Sequence, residues 1–141
     1  MNGAITSGTT QSTGGEKTPV VFIVDDEPSV ASACAKLVET VLPHVTTRRF
    51  TNPEEAVAAI IENAPACLIL DMYMPKMNGE DLLRKIREQQ VTVPVIGITG
   101  MAEGQEASPF AEQVDELLQK PFLPAKLLDL VEKMVQAALD E

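Results

Sequence analysis

The stretch "ACLILDMYMPKMNGEDLL", Ala66 to Leu83, decides the fold. Its apolar run Leu68-Ile69-Leu70 reads as a strand buried on both faces. The run stops abruptly on a carboxylate, Asp71. Met74-Pro75 and Asn78-Gly79 then mark a stiff turn. Asn78 is placed to cap a helix with Leu82, Leu83 and Ile86 inward and Arg84, Lys85, Arg87 and Glu88 outward. Strand, turn and amphipathic helix make one βα unit. An Asp at its junction is either a turn former or a reactive group held at the mouth of a sheet.

The same unit recurs on both sides of this stretch. "VVFIV" (Val20–Val24) is β-branched and continuous, and predicts a second doubly buried strand. Val30, Cys34, Leu37, Val38 and Val41 follow at helical spacing, with Pro28 suited to the first turn. "VTTRRF" (Val45–Phe50) alternates, as an edge strand does. Asn52-Pro53-Glu54-Glu55 starts a helix with Val57, Ile60 and Ile61 on one face. Downstream, "VPVIGIT" (Val93–Thr99) predicts the fourth strand and "ELLQK" (Glu116–Lys120) a short fifth. Leu127, Leu130, Val131, Met134, Val135 and Ala138 line the last helix. Between strands four and five, Gly104 and Pro109 leave room only for a short helix near Ser108-Pro109. Residues 1–18 are rich in Gly, Ser and Thr, and read as a flexible tail before one domain over 19–141.

The pattern is (βα)5. Right-handed crossovers make it an α/β fold, a doubly wound parallel five-stranded sheet with helices on both faces. Strands one and three are then neighbours, and four and five follow on the same side. Ligands bind such sheets beyond the carboxyl ends of the strands. Those ends carry Asp25-Asp26-Glu27, Asp71, Thr99-Gly100 and Lys120-Pro121. Clustered carboxylates repel unless a cation joins them. A hard divalent ion relieves this, and Mg2+ suits a site with few carboxylates. Asp71 can attack phosphorus to form an acyl phosphate, while Lys120 and Thr99 offer an ammonium and a hydroxyl to phosphoryl oxygens. Singly, Asp25 and Asp26 also fit a solvated helix start, Thr99 a β-branched strand residue and Lys120 a surface charge. Together, four strands ending in complementary chemistry at one edge argue for a joint site.

Composition narrows the classes. The 141 residues are 45% apolar, enough for one core. A net charge of -10 disfavours direct binding to nucleic acid or anionic membrane. No apolar stretch is long enough to span a bilayer and no signal-peptide pattern opens the chain, so a cytoplasmic protein is expected. Cys34 and Cys67 read as buried thiols without metal-site spacing, and His44 as a loop residue.

"VFIVDDEP" (Val21–Pro28), "LILDMYMPKMNG" (Leu68–Gly79), "VPVIGITG" (Val93–Gly100) and "QKPF" (Gln119–Phe122) resemble, in order and spacing, the receiver domain of two-component response regulators. The resemblance covers Val20 to Ala138 and implies a flavodoxin-like strand order, 2-1-3-4-5. It implies that Asp71 accepts a phosphoryl group from a histidine kinase or histidine phosphotransfer protein. Asp26 is implied as a direct Mg2+ ligand, Asp25 as a ligand through water and the Tyr73 backbone carbonyl as a further ligand. Thr99 and Lys120 are implied to bond the phosphoryl oxygens, and Lys120-Pro121 to be cis. Such a domain is a switch that promotes its own phosphorylation and dephosphorylation, not a turnover enzyme. Its output is unspecified, and a homodimer is left open. Pro28, Ser29, Ser32 and Lys36 are the analogous kinase-contact positions.

Several positions depart from the family pattern. Leu117 stands where an aromatic usually couples to the threonine, Val114-Asp115 replaces a Gly-Ala step, and Gly97 replaces a bulkier strand residue. An aromatic rotation is therefore not expected, and reordering of residues 100–115 is the alternative route. Tyr73 and Met101 occupy the positions that gate hydrolysis, and neither orients an attacking water, so slow self-dephosphorylation is expected. Two other readings stand beside the switch. One is a Mg2+-dependent aspartyl phosphatase or phosphotransferase, although Tyr73 stands where such enzymes commonly carry a second Asp. The other is a phosphate-relay intermediate.

Overall fold

The computed structural model describes residues 18–100 and 112–140. Among the described residues, five strands and four helices run in the order β1 (Val20–Val24), α1 (Pro28–Val41), β2 (Thr46–Phe50), α2 (Pro53–Glu62), β3 (Cys67–Asp71), α3 (Gly79–Glu88), β4 (Val95–Thr99), β5 (Glu116–Gln119) and α4 (Pro124–Leu139). All pairings are parallel and the order is β2-β1-β3-β4-β5. The tail, Met101 and the helix expected near Ser108-Pro109 lie outside the described residues.

Alternation along each strand sends side chains to two cores. Val21, Ile23, Cys67, Ile69, Ile96 and Ile98 pack against Ala35 and Val38 of α1 and Leu127 and Val131 of α4. Phe22, Val24, Leu68, Leu70 and Met72 pack against Ile60 of α2 and Leu82, Leu83 and Ile86 of α3. Two covered faces explain why the central strands read as continuous apolar runs rather than alternating ones. β2 lies at an edge, where Arg48 stacks over the rings of Phe22 and Phe50 at 5.2 and 5.0 Å.

The helix starts follow the local chemistry. Asn52 Oδ1 accepts from the Glu54 N–H at 2.9 Å, and Asn78 Oδ1 from the Asp81 N–H at 2.8 Å. Pro28 occupies the first turn of α1. Two expected inward positions are exposed: Val41, which ends α1, and Ile61 in the last turn of α2. One apolar stripe takes in Ile60 but not its neighbour 100° around the helix.

Strand boundaries move slightly. β3 includes Asp71, because its pairing with β4 runs to Asp71↔Ile98. β4 begins at Val95 rather than Val93. There the Val95 N–H donates to Asp115 Oδ2 at 2.7 Å and the Asp115 N–H to the Val95 carbonyl at 3.0 Å. Asp115, in place of a small residue, thus completes the hydrogen bonding at the start of β4.

Gly79 opens α3 where the chain folds back on Met72. Its N–H donates to the Met72 carbonyl at 3.2 Å. A Cβ there would sit 2.6 Å from Met72 Sδ and 2.9 Å from Met72 Cα. The second contact is with backbone, so a rotamer change cannot relieve it. Gly79→Ala is expected to lower stability by about 1–3 kcal/mol in urea denaturation. A midpoint equal to that of the unsubstituted chain would refute this close approach.

Candidate functional site

β1 and β3 bring three acids to one edge. Asp25 follows β1, and its N–H donates to the Phe50 carbonyl at 3.0 Å, fixing the backbone beside β2. Its Oδ1 accepts from the Glu27 N–H at 2.9 Å. Asp71 closes β3, and its Oδ1 accepts from the Tyr73 N–H at 3.0 Å. Both carboxylates are buried, while Asp26 between β1 and α1 is half-buried. One carboxylate oxygen from each of Asp25, Asp26 and Asp71 lies within 4.8 Å of the others.

This packing is electrostatically costly. Burial pushes the Asp71 carboxyl up to about 6, and repulsion from Asp25 and Asp26 adds to it against the Tyr73 N–H and Lys120. Burial also raises Asp25, with Asp26 and Glu27 adding and the Glu27 N–H and Lys120 opposing. One ammonium is not enough to offset burial and mutual repulsion. The donor set is hard, made of carboxylate oxygens, small in number, and one member is reachable from solvent. It fits a Mg2+ ion.

β4 and β5 supply the rest. Thr99 ends β4 one residue beyond the Asp71↔Ile98 pair. Its side chain is fully buried, and Oγ1 has no hydrogen-bond partner among the described residues. A buried hydroxyl left without a partner costs about 1–3 kcal/mol, and Thr99 Oγ1 keeps its donor available at the same edge as the three acids. The Lys120 N–H donates to the Thr99 carbonyl at 2.8 Å, which ties the start of the Lys120 loop to β4. The Lys120 charge acts on both Asp25 and Asp71. Lys120-Pro121 is cis, as expected.

The chain therefore brings Asp25, Asp26 and Asp71 together, sets Lys120 within electrostatic reach and ends the adjoining strand on Thr99. Tyr73 is held through its N–H and keeps an exposed side chain. Pro28, Ser29, Ser32 and Lys36 are exposed on α1, where Ser32 Oγ accepts from Arg49 Nη1 at 2.7 Å. Cys34 is closer to the site than its spacing suggested. Its thiol is pushed up by burial and then by Asp25, and Lys120 pulls the other way. Helical spacing shows that Cys34 faces inward but not which strand end it meets. Cys67 behaves as the expected core thiol, pushed up to about 12 by burial.

Comparisons with known proteins give the family and agree with the fold. The family model "Response regulator receiver domain" matches residues 21–132. The probable C4-dicarboxylate response regulator DctR of Bacillus subtilis is 31% identical over 118 residues, which are 82% of this chain and 52% of that protein. The response regulator SaeR of Staphylococcus aureus is 28% identical over 109 residues, 77% of this chain and 46% of that one. The chain thus spans about half the length of these curated relatives. Among solved structures, the Francisella response regulator 1452 receiver domain superposes with a TM-score of 0.74 at 24% identity, covering 85% of this chain and 98% of that one. The receiver domain of a Luxo repressor protein from Vibrio parahaemolyticus gives 0.76 at 24%, covering 86% and 93%. At these identities the superpositions speak for the fold.

The Asp71 shift has a consequence for stability. A carboxyl whose pKa is raised on folding, here from 3.8 to about 6, holds its proton more tightly in the folded state. Its stabilising effect is full below the lower value and is lost as pH rises through the higher one. Without divalent cation, Asp71→Asn is expected to be more stable than the unsubstituted chain at pH 7.5, by about 1–3 kcal/mol. The gap closes toward pH 4. Urea denaturation in chelator at both pH values measures it, and equal stability at pH 7.5 would contradict the assigned burial.

Proposed function

The chain belongs to the response regulator receiver domain family, and from that premise we propose that it is a signalling switch controlled by phosphorylation of Asp71. The observation that carries this reading is the three-carboxylate cluster, with Asp71 at the end of the central strand. The Thr99 hydroxyl, buried without a partner among the described residues, and the Lys120 charge support it.

The donor is the phosphohistidine of a histidine kinase or of a histidine phosphotransfer protein. A carboxylate oxygen of Asp71 attacks phosphorus as the P–N bond breaks. The O–P bond of an acyl phosphate forms, and the donor imidazole leaves with the bonding pair and takes up a proton. The Tyr73 N–H, bonded to Asp71 Oδ1, holds the nucleophile in one orientation. Thr99 Oγ1 donates to one phosphoryl oxygen and the Lys120 ammonium attracts another. Asp25, Asp26, Asp71 and the Tyr73 carbonyl would hold Mg2+, which when bound offsets charge on the phosphoryl oxygens.

Phosphorylation shifts a two-state equilibrium because the phosphoryl group contacts Thr99 and Lys120 differently in each state. Receiver domains are signalling domains rather than conventional enzymes, and we assign this one a place in the cytoplasm, on a domain over residues 19–141. Among the described residues, no helix is long and apolar enough to cross a membrane. The aspartyl phosphatase reading is weakened by Tyr73, an exposed aromatic where that chemistry wants a second acid.

With acetyl phosphate and Mg2+, the chain is expected to gain one phosphoryl group by intact-mass spectrometry. Asp71→Asn and chelation should each abolish the gain. No mass gain in the unsubstituted chain would sink the switch, and steady release of phosphate from small esters would favour the phosphatase. The acyl phosphate should be long-lived, and Tyr73→Asn should shorten its life several-fold. An equal decay rate in both proteins would remove Tyr73 from the control of hydrolysis.

A further inference from the structure

Met72 follows Asp71 and takes the other direction, into the core shared with α2 and α3. It is completely buried. Two glycines make room for it. Gly79, at the start of α3, would place a Cβ against Met72 Sδ and its backbone. Gly97, inside β4, would place a Cβ 3.2 Å from three atoms at once: Met72 Sδ, Leu117 Cδ1 and Val114 Cγ1. At Gly97 β4 therefore carries no side chain, and three neighbouring side chains close over the position. One comes from the Asp71 segment. One comes from β5, where Leu117 is the register partner of Gly97. One comes from the residues just before β5.

Those residues are also held from α3. Gln113 Nε2 donates to Glu80 Oε2 at 2.7 Å, and Arg87 Nη2 donates to the Gln113 carbonyl at 2.7 Å. Asp115 is locked to Val95. The segment leading into β5 thus meets the Asp71 segment directly through Met72 and again through α3, whose first residue also packs on Met72. Position 117 carries no ring that could rotate. An unbranched thioether beside a residue with no side chain supplies the freedom to repack instead. In a close-packed interior such a rearrangement moves between discrete arrangements and carries its neighbours with it.

We propose that Met72 couples the Asp71 segment to β5, by repacking over Gly97 against Leu117 and Val114 when Asp71 is phosphorylated. The inference rests on Asp71 being the phosphoacceptor and names the contact through which its state reaches the far side of the sheet.

Methyl NMR of the whole chain tests it, before and after treatment with Mg2+ and acetyl phosphate, with intact mass recorded on each sample. In the unsubstituted chain, the Leu117 and Val114 methyl resonances should move on phosphorylation. In Met72→Ala the mass gain should persist while that movement is lost, and Met72→Leu should restore it in part. Gly97→Ala leaves residue 72 itself unchanged, presses a methyl against Met72 Sδ, Leu117 and Val114, and should also suppress the movement, so the test stands if Met72→Ala does not fold. Full movement of both residues in either substituted protein would overturn the coupling. So would a phosphorylated unsubstituted chain whose Leu117 and Val114 do not move. If that chain gains no mass, the phosphoacceptor reading has failed and the coupling falls with it.

Discussion

β3 is the constraint on which the rest of the molecule depends. It is hydrogen-bonded to β1 on one side and β4 on the other, and every one of its residues is buried. A strand in that position needs apolar cover on both faces, so α1 and α4 must lie on one side and α2 and α3 on the other. Its ladder continues past Asp71, where the Met72 N–H reaches the Ile98 carbonyl at 2.9 Å. The backbone on both sides of the acid is thereby fixed. Asp71 and Met72, side by side in the chain, face different surroundings because side chains alternate along a strand. One joins the acids, the other the core.

The site is built against stability. Three carboxylates crowd one edge, two of them buried, and the Thr99 hydroxyl is buried without a partner among the described residues. Lys120 lowers the repulsion but leaves both buried acids above their ordinary values. A cation bound only by the folded state would repay this by linkage. A stable surround holds the strained edge in place: short ladders, capped α2 and α3, and two cores.

Much of this was legible in the residues. The doubly apolar runs at Val20–Val24 and Leu68–Leu70, the Asn52-Pro53 and Asn78 helix starts and the edge position of β2 all reappear, although burial along β2 does not alternate. They are local signals, set by backbone sterics, capping and alternation. Errors fell where the outcome depends on neighbours. Whether β3 stops at Leu70 or Asp71 is decided by pairing with β4. Whether Ile61 is buried is decided by how α2 lies on the sheet. Asp25, Asp26 and Asp71 could be picked out because acids at the ends of buried strands are conspicuous, whereas Thr99 and Lys120 became candidates only through the company they keep.

Read as a string, the chain specifies which segments are strands, which are helices, and which acids end the strands. Those properties follow from periods of 2 and 3.6 and from turn chemistry, all within a few residues of each other. Tertiary packing alone decided that Cys34 comes within electrostatic reach of Asp25, that Asp115 completes the start of β4, and that Met72, Leu117 and Val114 converge over Gly97. These contacts join residues far apart in the chain, and their existence depends on strand register and on neighbours closing over a position that carries no side chain. Neither is written in any local stretch.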